Sequence, residues 1–276
     1  MSEFRKGATA LVTGAASGIG LALSRELVRR GLRVWMADIE CDKVRHAADS
    51  IGAQALTLDV RDASAFRECV GSVVRDAGRL DFLFNNAGIL ISGEASDFDT
   101  DRFDRIIDVN IRGVVNGTMA AYPVMIGQGD GHIINTASLG GLMPAPLLAA
   151  YGMSKHAVVG LTTSLRFEAE RHGVRVSAIC PAGVDTPMLD ESGADSLRLD
   201  SRPDVRRYLS RLAGKPCSPE QVAREAIRGV ERDLALIVVP ARARLTMSVY
   251  RCFPGLVEFI GKRVMAAEVR GIRAGT

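Results

Sequence analysis

The chain has 276 residues, 47% of them hydrophobic, which suits one large α/β domain or two small ones with an ample core. A net charge of +3, spread over scattered lysines and arginines with no basic run or aromatic platform, argues against a nucleic-acid partner. Five cysteines without metal-type spacing and four histidines without ligand spacing argue against a disulfide framework and a metal site, and fit a reducing, cytoplasmic setting.

Residues 8–13 form a short apolar run of the kind that becomes a buried parallel strand. The loop Gly14-Ala15-Ala16-Ser17-Gly18-Ile19-Gly20 follows, then an amphipathic helix over 21–30 closed by Gly31. A second strand, 33–37, ends at Asp38, and a polar helix is predicted over 41–51. A third strand, 53–58, ends at Asp59 and leads into a helix over 62–77. The strand 81–84 turns at Asn85-Asn86-Ala87-Gly88, and one long helix containing Asn110 is expected over 100–126. Strand 132–137 precedes Ser138, and a helix carrying Tyr151 and Lys155 runs to about 172. A sixth strand covers 174–180, before Pro181. Ser218-Pro219-Glu220-Gln221 reads as a capping box opening a helix to about 232, and a seventh strand covers 234–239.

Strands and helices alternate with short links throughout. That pattern predicts a single α/β domain of the Rossmann type: a doubly wound, seven-stranded parallel sheet with helices on both faces. Residues 187–217 interrupt the rhythm, being polar and without a strand, and are expected to form a lid over a site, with a plain surface loop as the alternative. The first six residues lack the apolar stretch of a signal peptide, and no apolar run approaches the roughly 18 residues of a membrane span.

Two groups of residues point to chemistry. Gly14, Ser17, Gly18, Ile19 and Gly20 lie where a strand gives way to a helix, so the backbone can approach a pyrophosphate and the helix N-terminus can face it. Asp38 ends the next strand, placed to accept hydrogen bonds from ribose hydroxyls and to repel a 2′-phosphate, which predicts NAD rather than NADP. Tyr151 and Lys155 are four apart, on one helix face. An ammonium beside a phenol favours the phenolate, so the pair is a reasonable proton-transfer device, and Ser138 can join it from a strand end.

In this order, the motifs resemble those of the classical short-chain dehydrogenase/reductase family. The match runs over about residues 6–190 through Thr13–Gly20, Asp59-Val60, Asn85–Gly88, Asn110, Ser138, Tyr151 with Lys155, and Pro181–Thr186. The resemblance implies Tyr151 as general acid/base and Lys155 as the group that lowers its pKa and holds the nicotinamide ribose. It implies Ser138 on the substrate oxygen and Asn110 on a proton-relaying water. It further implies Asp59 and Val60 at the adenine, Asn86, Ala87 and Gly88 on the adenosine side, and Val184 and Thr186, in the segment opened by Pro181, at the carboxamide. A homodimer or homotetramer is typical of such proteins. Two features depart from the pattern: Pro181 is followed by Ala182 where glycine is usual, and the chain continues for 37 residues past Val239.

Leu139, Leu142, Met143, Pro144, Pro146, Leu147 and Leu148 surround the Ser138–Tyr151 interval without a cation to clamp an acid, and Leu90, Ile91 and Met188 are further candidate walls. The expected substrate is a hydrophobic secondary alcohol or its ketone, such as a steroid, retinoid, fatty, prostanoid-like or terpenoid compound. Three segments (138–144, 154–156 and 178–181) are also similar to the hydroxyprostaglandin dehydrogenases within the family. The alternatives are a reductase of 3-oxoacyl thioesters and a non-catalytic NAD(H)-binding sensor. Residues 241–276 carry seven basic and two acidic side chains, a net +5, interleaved with apolar ones. They read as an amphipathic helix packed on the body, as a cap over an apolar pocket, or, as a minor reading, as a membrane-surface contact.

Overall fold

A computed structural model describes residues 4–190 and 203–274. Seven strands form one parallel sheet: β1 (Thr9–Thr13), β2 (Arg33–Asp38), β3 (Gln54–Thr57), β4 (Phe82–Asn85), β5 (Gly131–Thr136), β6 (Val174–Pro181) and β7 (Leu236–Val239). Their order across the sheet is β3-β2-β1-β4-β5-β6-β7. The winding reverses between β1 and β4, and the strands' C-terminal ends open a crevice there.

Both faces of the sheet are covered because its strands are apolar at successive positions rather than alternate ones. Val12, Met36, Phe84 and Ile134 point to one face, under helices α1 (Gly18–Arg29) and α2 (Cys41–Asp49) and the later helix over Pro219–Glu231. Leu11, Trp35, Leu83 and Ile133 point to the other, where α3 (Ala63–Ala77) supplies Phe66 and Val70. Fully burying such side chains contributes roughly 1.5–3 kcal/mol each. The Asp62 carboxylate caps α3 by accepting from Ser64 N (2.8 Å) and Ala65 N (3.0 Å), and Gly78 ends it in the left-handed conformation.

The long helix expected over 100–126 is three pieces: α4 (Thr100–Ile107), a π-helical turn at Asp108–Arg112, and α5 (Gly113–Gln128). The extra residue in that turn carries Asn110 into the interior, where its amide satisfies two backbone groups of another loop. Helix α6 (Ala149–Glu170) is fixed to the sheet by a buried relay. Asn85 Nδ2 donates to Asn135 Oδ1 (2.9 Å), Asn135 Nδ2 donates to Thr162 Oγ1 (2.9 Å), and that hydroxyl donates to Val158 O (2.7 Å). This relay sets the height and rotation of the helix that carries Tyr151 and Lys155.

Within the 187–217 segment the described residues form a short 3₁₀ turn, Pro187–Leu189, and helix α7 (Val205–Ala213); residues 191–202 of the expected lid lie outside the described residues. Helix α8 (Pro219–Glu231) starts where the capping box placed it, but only half of the box forms. Ser218 Oγ accepts from Gln221 N, while the Gln221 side chain turns outward to donate to Glu225 Oε1 (2.8 Å). The tail past β7 forms two helices, α9 (Ala243–Cys252) and α10 (Pro254–Ala274). Among the described residues no helix is long and apolar enough to cross a membrane.

Helix α10 is fastened to α7 by a carboxylate. Glu268, 1% exposed, accepts from Arg207 (2.7 Å) and Arg211 (3.0 Å) on successive turns of α7. Both guanidinium groups are half exposed, so solvent screens the pairs and the fastening is far weaker than a dry ion pair. Glu268→Ala is therefore expected to speed amide hydrogen exchange in residues 254–274 while leaving exchange in the central strands unchanged. Unaltered exchange in α10 would show that other contacts hold it.

Candidate active site

The crevice at the strand ends is a cleft of about 1080 Å³. Its first wall is the loop between β1 and α1. Gly14 has φ +63° and lies so near the β4 loop that a Cβ there would fall 2.7 Å from Ala87 Cα. A Cβ at Gly20 would fall 2.1 Å from Gly14 O, so the loop closes tightly only with glycine at both places. The N-terminus of α1 has no capping side chain and no acid in its first turn, so its N–H groups are available to an anion. Thr13 ties this loop to the next: its hydroxyl oxygen accepts from Asn86 N (3.0 Å) and Ala87 N (3.1 Å), and Asn86 Nδ2 donates to Thr13 O (3.0 Å).

Asp38 ends β2 at the cleft edge. Its carboxylate is held by the backbone, Oδ2 accepting from Ala16 N (3.0 Å) and Oδ1 from Glu40 N (3.1 Å). Asp59 follows β3, and the Arg61 guanidinium bound to it (2.6 Å) holds its carboxyl below the usual carboxylate range. Val60 and Leu58 add an apolar surface beside it.

At the other end Ser138, Tyr151 and Lys155 come together. Lys155 is 3% exposed; its ammonium donates to Thr136 O (2.8 Å) and lies 5.6 Å from the centre of the Tyr151 ring. Burial pushes the Lys155 pKa down to about 8. Burial likewise raises the Tyr151 phenol, and a hydrogen bond with the Ser138 hydroxyl pulls it the other way. In the protein's own field the phenol is thus neutral at pH 7, and the serine rather than the lysine is the group that opposes burial.

Sixteen of the residues singled out in the sequence line the cleft: Gly14, Ser17, Gly18, Ile19, Asp38, Asp59, Val60, Asn86, Ala87, Gly88, Ser138, Tyr151, Lys155, Pro181, Val184 and Thr186. Gly20 and Asn110 do not. Gly20 packs beneath the loop, and Asn110 is fully buried behind it. Asn110 Oδ1 accepts from Ile89 N (2.8 Å), and its Nδ2 donates to Ile89 O (2.9 Å) and Ser154 Oγ (3.1 Å). A Cβ at Gly88 would fall 3.1 Å from Asn110 Oδ1 and 3.4 Å from Lys155 Nζ, so these three positions are packed against one another. The backbone at Ala182 needs no positive φ: among the described non-glycine residues only Leu147 and Asp233 adopt one. Glycine is therefore not required at that step.

On the apolar side, Leu90, Leu139, Met143, Pro144, Pro146, Leu148 and Met188 line the cleft as expected. Ile91 does not; it packs with Ile106 and Ala150. Leu142 and Leu147 also face elsewhere.

Three residues escaped the sequence reading. Ser154 donates to Tyr151 O (2.7 Å) and accepts from Asn110, so it joins the π-turn to α6. Its place directly before Lys155 was the available signal. Cys180 of β6 is fully buried beside Lys155, and burial pushes its thiol up to about 12, so it remains neutral. Tyr208 of α7 is fully buried, donates to Pro146 O (3.0 Å) and lines the cleft. The tail, for which a cap over an apolar pocket was one of three readings, adds further wall: α9 and α10 contribute Leu245, Val249, Val257, Ile260 and Met265 to the cleft. Composition left that reading open beside the others, and tertiary packing brings the tail over the strand ends.

This architecture is that of the Rossmann-type α/β oxidoreductases. Within that class the chain belongs to the short-chain dehydrogenase/reductase family, whose sequence model, described as short chain dehydrogenase, matches residues 8–197. It is similar to oxidoreductase UcpA of Salmonella typhimurium, 41% identical over 204 residues that cover 72% of this chain and 75% of that one. It is also similar to the putative oxidoreductase SadH of Mycobacterium tuberculosis, 37% identical over 252 residues, or 88% of this chain and 90% of that one. A crystal structure of a short-chain dehydrogenase/reductase from Burkholderia phymatum in complex with NAD superposes with a TM-score of 0.82 at 28% identity, covering 93% of this chain and 96% of that one.

The buried lysine makes stability depend on pH. The folded protein releases the Lys155 proton near pH 8, whereas the unfolded chain holds it to the ordinary 10.5. Between those values the unfolded state binds more protons, so stability rises with pH and falls again as pH drops through about 8. Denaturant titrations across this window should show wild type gaining about 1–3 kcal/mol relative to Lys155→Met, whose difference from wild type isolates this one group. A constant difference across the window would mean that Lys155 is not a buried cation.

Proposed function

We propose that the protein is an NAD(H)-dependent dehydrogenase of hydrophobic secondary alcohols, acting reversibly on the corresponding ketones. One observation carries this reading: Ser138, Tyr151 and Lys155 meet at one end of an apolar cleft whose other end presents a backbone-fixed Asp38 carboxylate. The residues present fit the cofactor. Gly14, Ser17, Gly18 and Ile19, at the uncapped end of α1, would hold the pyrophosphate. Asp38 would take the adenosine ribose hydroxyls and disfavour a 2′-phosphate. Asp59 and Val60 would border the adenine, with Asn86, Ala87 and Gly88 on the adenosine side. Pro181, Val184 and Thr186 would border the nicotinamide, and Lys155 its ribose. Bound there, NAD supplies the hydride acceptor for alcohol oxidation.

The chain's own groups do the proton chemistry. Ser138 and Tyr151 would hydrogen-bond the substrate oxygen, fixing its carbon and excluding other orientations. In the reducing direction the neutral Tyr151 phenol donates its proton to the developing alkoxide; in the oxidising direction the phenolate must form first and accept the hydroxyl proton. Lys155 would then pass the proton to solvent through a water held at Asn110, whose amide is aligned through Ser154. The apolar residues facing this end, from Leu90 to Met188, favour a bulky hydrocarbon substrate. Exposed Met119 of α5 and Phe167 of α6, the latter 81% exposed, offer an apolar face for a homodimer or homotetramer.

Incubation with NAD and a panel of hydrophobic secondary alcohols, followed by NADH absorbance, tests the reading. Tyr151→Phe should lower kcat by about 10²–10⁴-fold while NADH binding, read by fluorescence, is kept. Turnover that survives the change would remove Tyr151 from the chemistry. Because burial raises the Tyr151 phenol, alcohol oxidation should climb with pH from neutral into the alkaline range. Ser138→Ala removes the one hydrogen bond that opposes burial and should move that climb to higher pH. Asp38→Asn should narrow the preference for NAD(H) over NADP(H); a wild-type enzyme that works better with NADP(H) would overturn the cofactor assignment.

A further inference from the structure

Helices α9 and α10 line the cleft and also leave a run of apolar side chains exposed to solvent. Phe253 is 63% exposed, Leu256 and Phe259 are each 52% exposed, and Ile260 is 50% exposed. Leu256, Phe259, Ile260 and Arg263 follow at i, i+3, i+4 and i+7, so they form one stripe along α10. The stripe is bordered by cations. Arg251, Lys262 and Arg263 are exposed, and the Arg263 guanidinium lies 4.1 Å from the centre of the Phe259 ring. Among the described residues of these helices the acids are Glu258 and Glu268, and Glu268 is buried against α7.

We propose that this face docks on an anionic lipid surface, with the stripe lying in the interface. An apolar stripe flanked by lysine and arginine is the composition that binds such a surface lengthwise, burying hydrocarbon while cations meet lipid phosphates. A second copy of the chain fits the same face less well: two-fold contact would bring three exposed cations from each copy, Arg251, Lys262 and Arg263, into one interface with Glu258 as the exposed acid on each helix. The geometry also links the surface to the cleft. Ile260 is both half exposed and part of the cleft wall, so the docked stripe borders the site's mouth. Through the Glu268 fastening, α7 with its cleft-lining Tyr208 is held to the same helix. An apolar alcohol dissolved in lipid would then enter without crossing water. That last consequence rests on the proposed substrate class; the docking itself does not.

Co-sedimentation of the full-length protein with vesicles tests it without turnover. Phosphatidylcholine vesicles should retain little protein, and replacing part of the phosphatidylcholine with phosphatidylglycerol should raise the bound fraction about tenfold at low salt, with loss at high salt. Leu256→Ser with Phe259→Ser should abolish binding to both vesicle types. Arg251→Gln with Arg263→Gln should remove only the increment due to phosphatidylglycerol. All four positions are on the surface, and an unchanged NADH-fluorescence titration would show that the cofactor site is intact in each variant. Failure of wild type to sediment with anionic vesicles overturns the proposal, as does binding that the serine variants retain. A dimer that dissociates in the serine variants, without vesicle binding by wild type, would instead assign the face to a second copy. An absence of alcohol turnover would count against the proposed function and leave the vesicle result standing.

Discussion

A cation buried in the middle of the protein is the constraint around which the site is arranged. Lys155 is 3% exposed, and among the described residues no carboxylate pairs with it; a backbone carbonyl at 2.8 Å and the face of a tyrosine ring receive its charge. Desolvating an ammonium is costly, and the lowered pKa registers that cost. The surroundings are built to hold it nonetheless. Gly88 leaves room for the amine, and a Cβ at Gly141 would fall 2.5 Å from the Lys155 carbonyl oxygen, so this turn of α6 lies directly on the 3₁₀ turn after Ser138. The buried asparagine–asparagine–threonine relay fixes α6 from below. A protein that keeps a destabilising charge through so many accommodations holds it at the cost of stability, which is the pattern of a functional rather than a structural group.

The same economy explains the π-turn. A regular helix through 108–112 would carry Asn110 around the helix surface; one additional residue in the turn directs it inward. There it closes three hydrogen bonds with Ile89 and Ser154, and Ser154 in turn bonds the Tyr151 carbonyl. The helix irregularity and the helix carrying Tyr151 and Lys155 are therefore mechanically one unit, joined behind the cleft wall rather than in it.

The tail changes what kind of cleft this is. A doubly wound sheet by itself offers an open crevice at its strand ends. Here α9 and α10 fold back across that crevice, adding apolar walls, and Glu268 binds them to α7 through two arginines. The wall is thus assembled from two segments distant in sequence, and its fit to a ligand depends on both. Of the readings the tail's composition allowed, packing on the body and capping of the pocket are realised together.

Much of the fold and site was legible in the sequence because it is encoded locally. Continuous apolar runs marked strands buried on both faces, glycine and aspartate marked the turns between them, and the fixed spacings of Gly14 to Gly20 and of Tyr151 to Lys155 survive folding unchanged because each lies within one loop or one helix. What local pattern could not give was anything set by meetings between distant segments. The π-turn arises because Asn110 finds partners at Ile89. The tail's place over the cleft follows from Glu268 reaching arginines some 60 positions earlier. Tyr151 shows the division most plainly. Its neighbour Lys155 was readable and so was the expectation of a lowered pKa, but the phenol is raised, because burial is a property of the whole packed molecule and no spacing of residues along the chain records it.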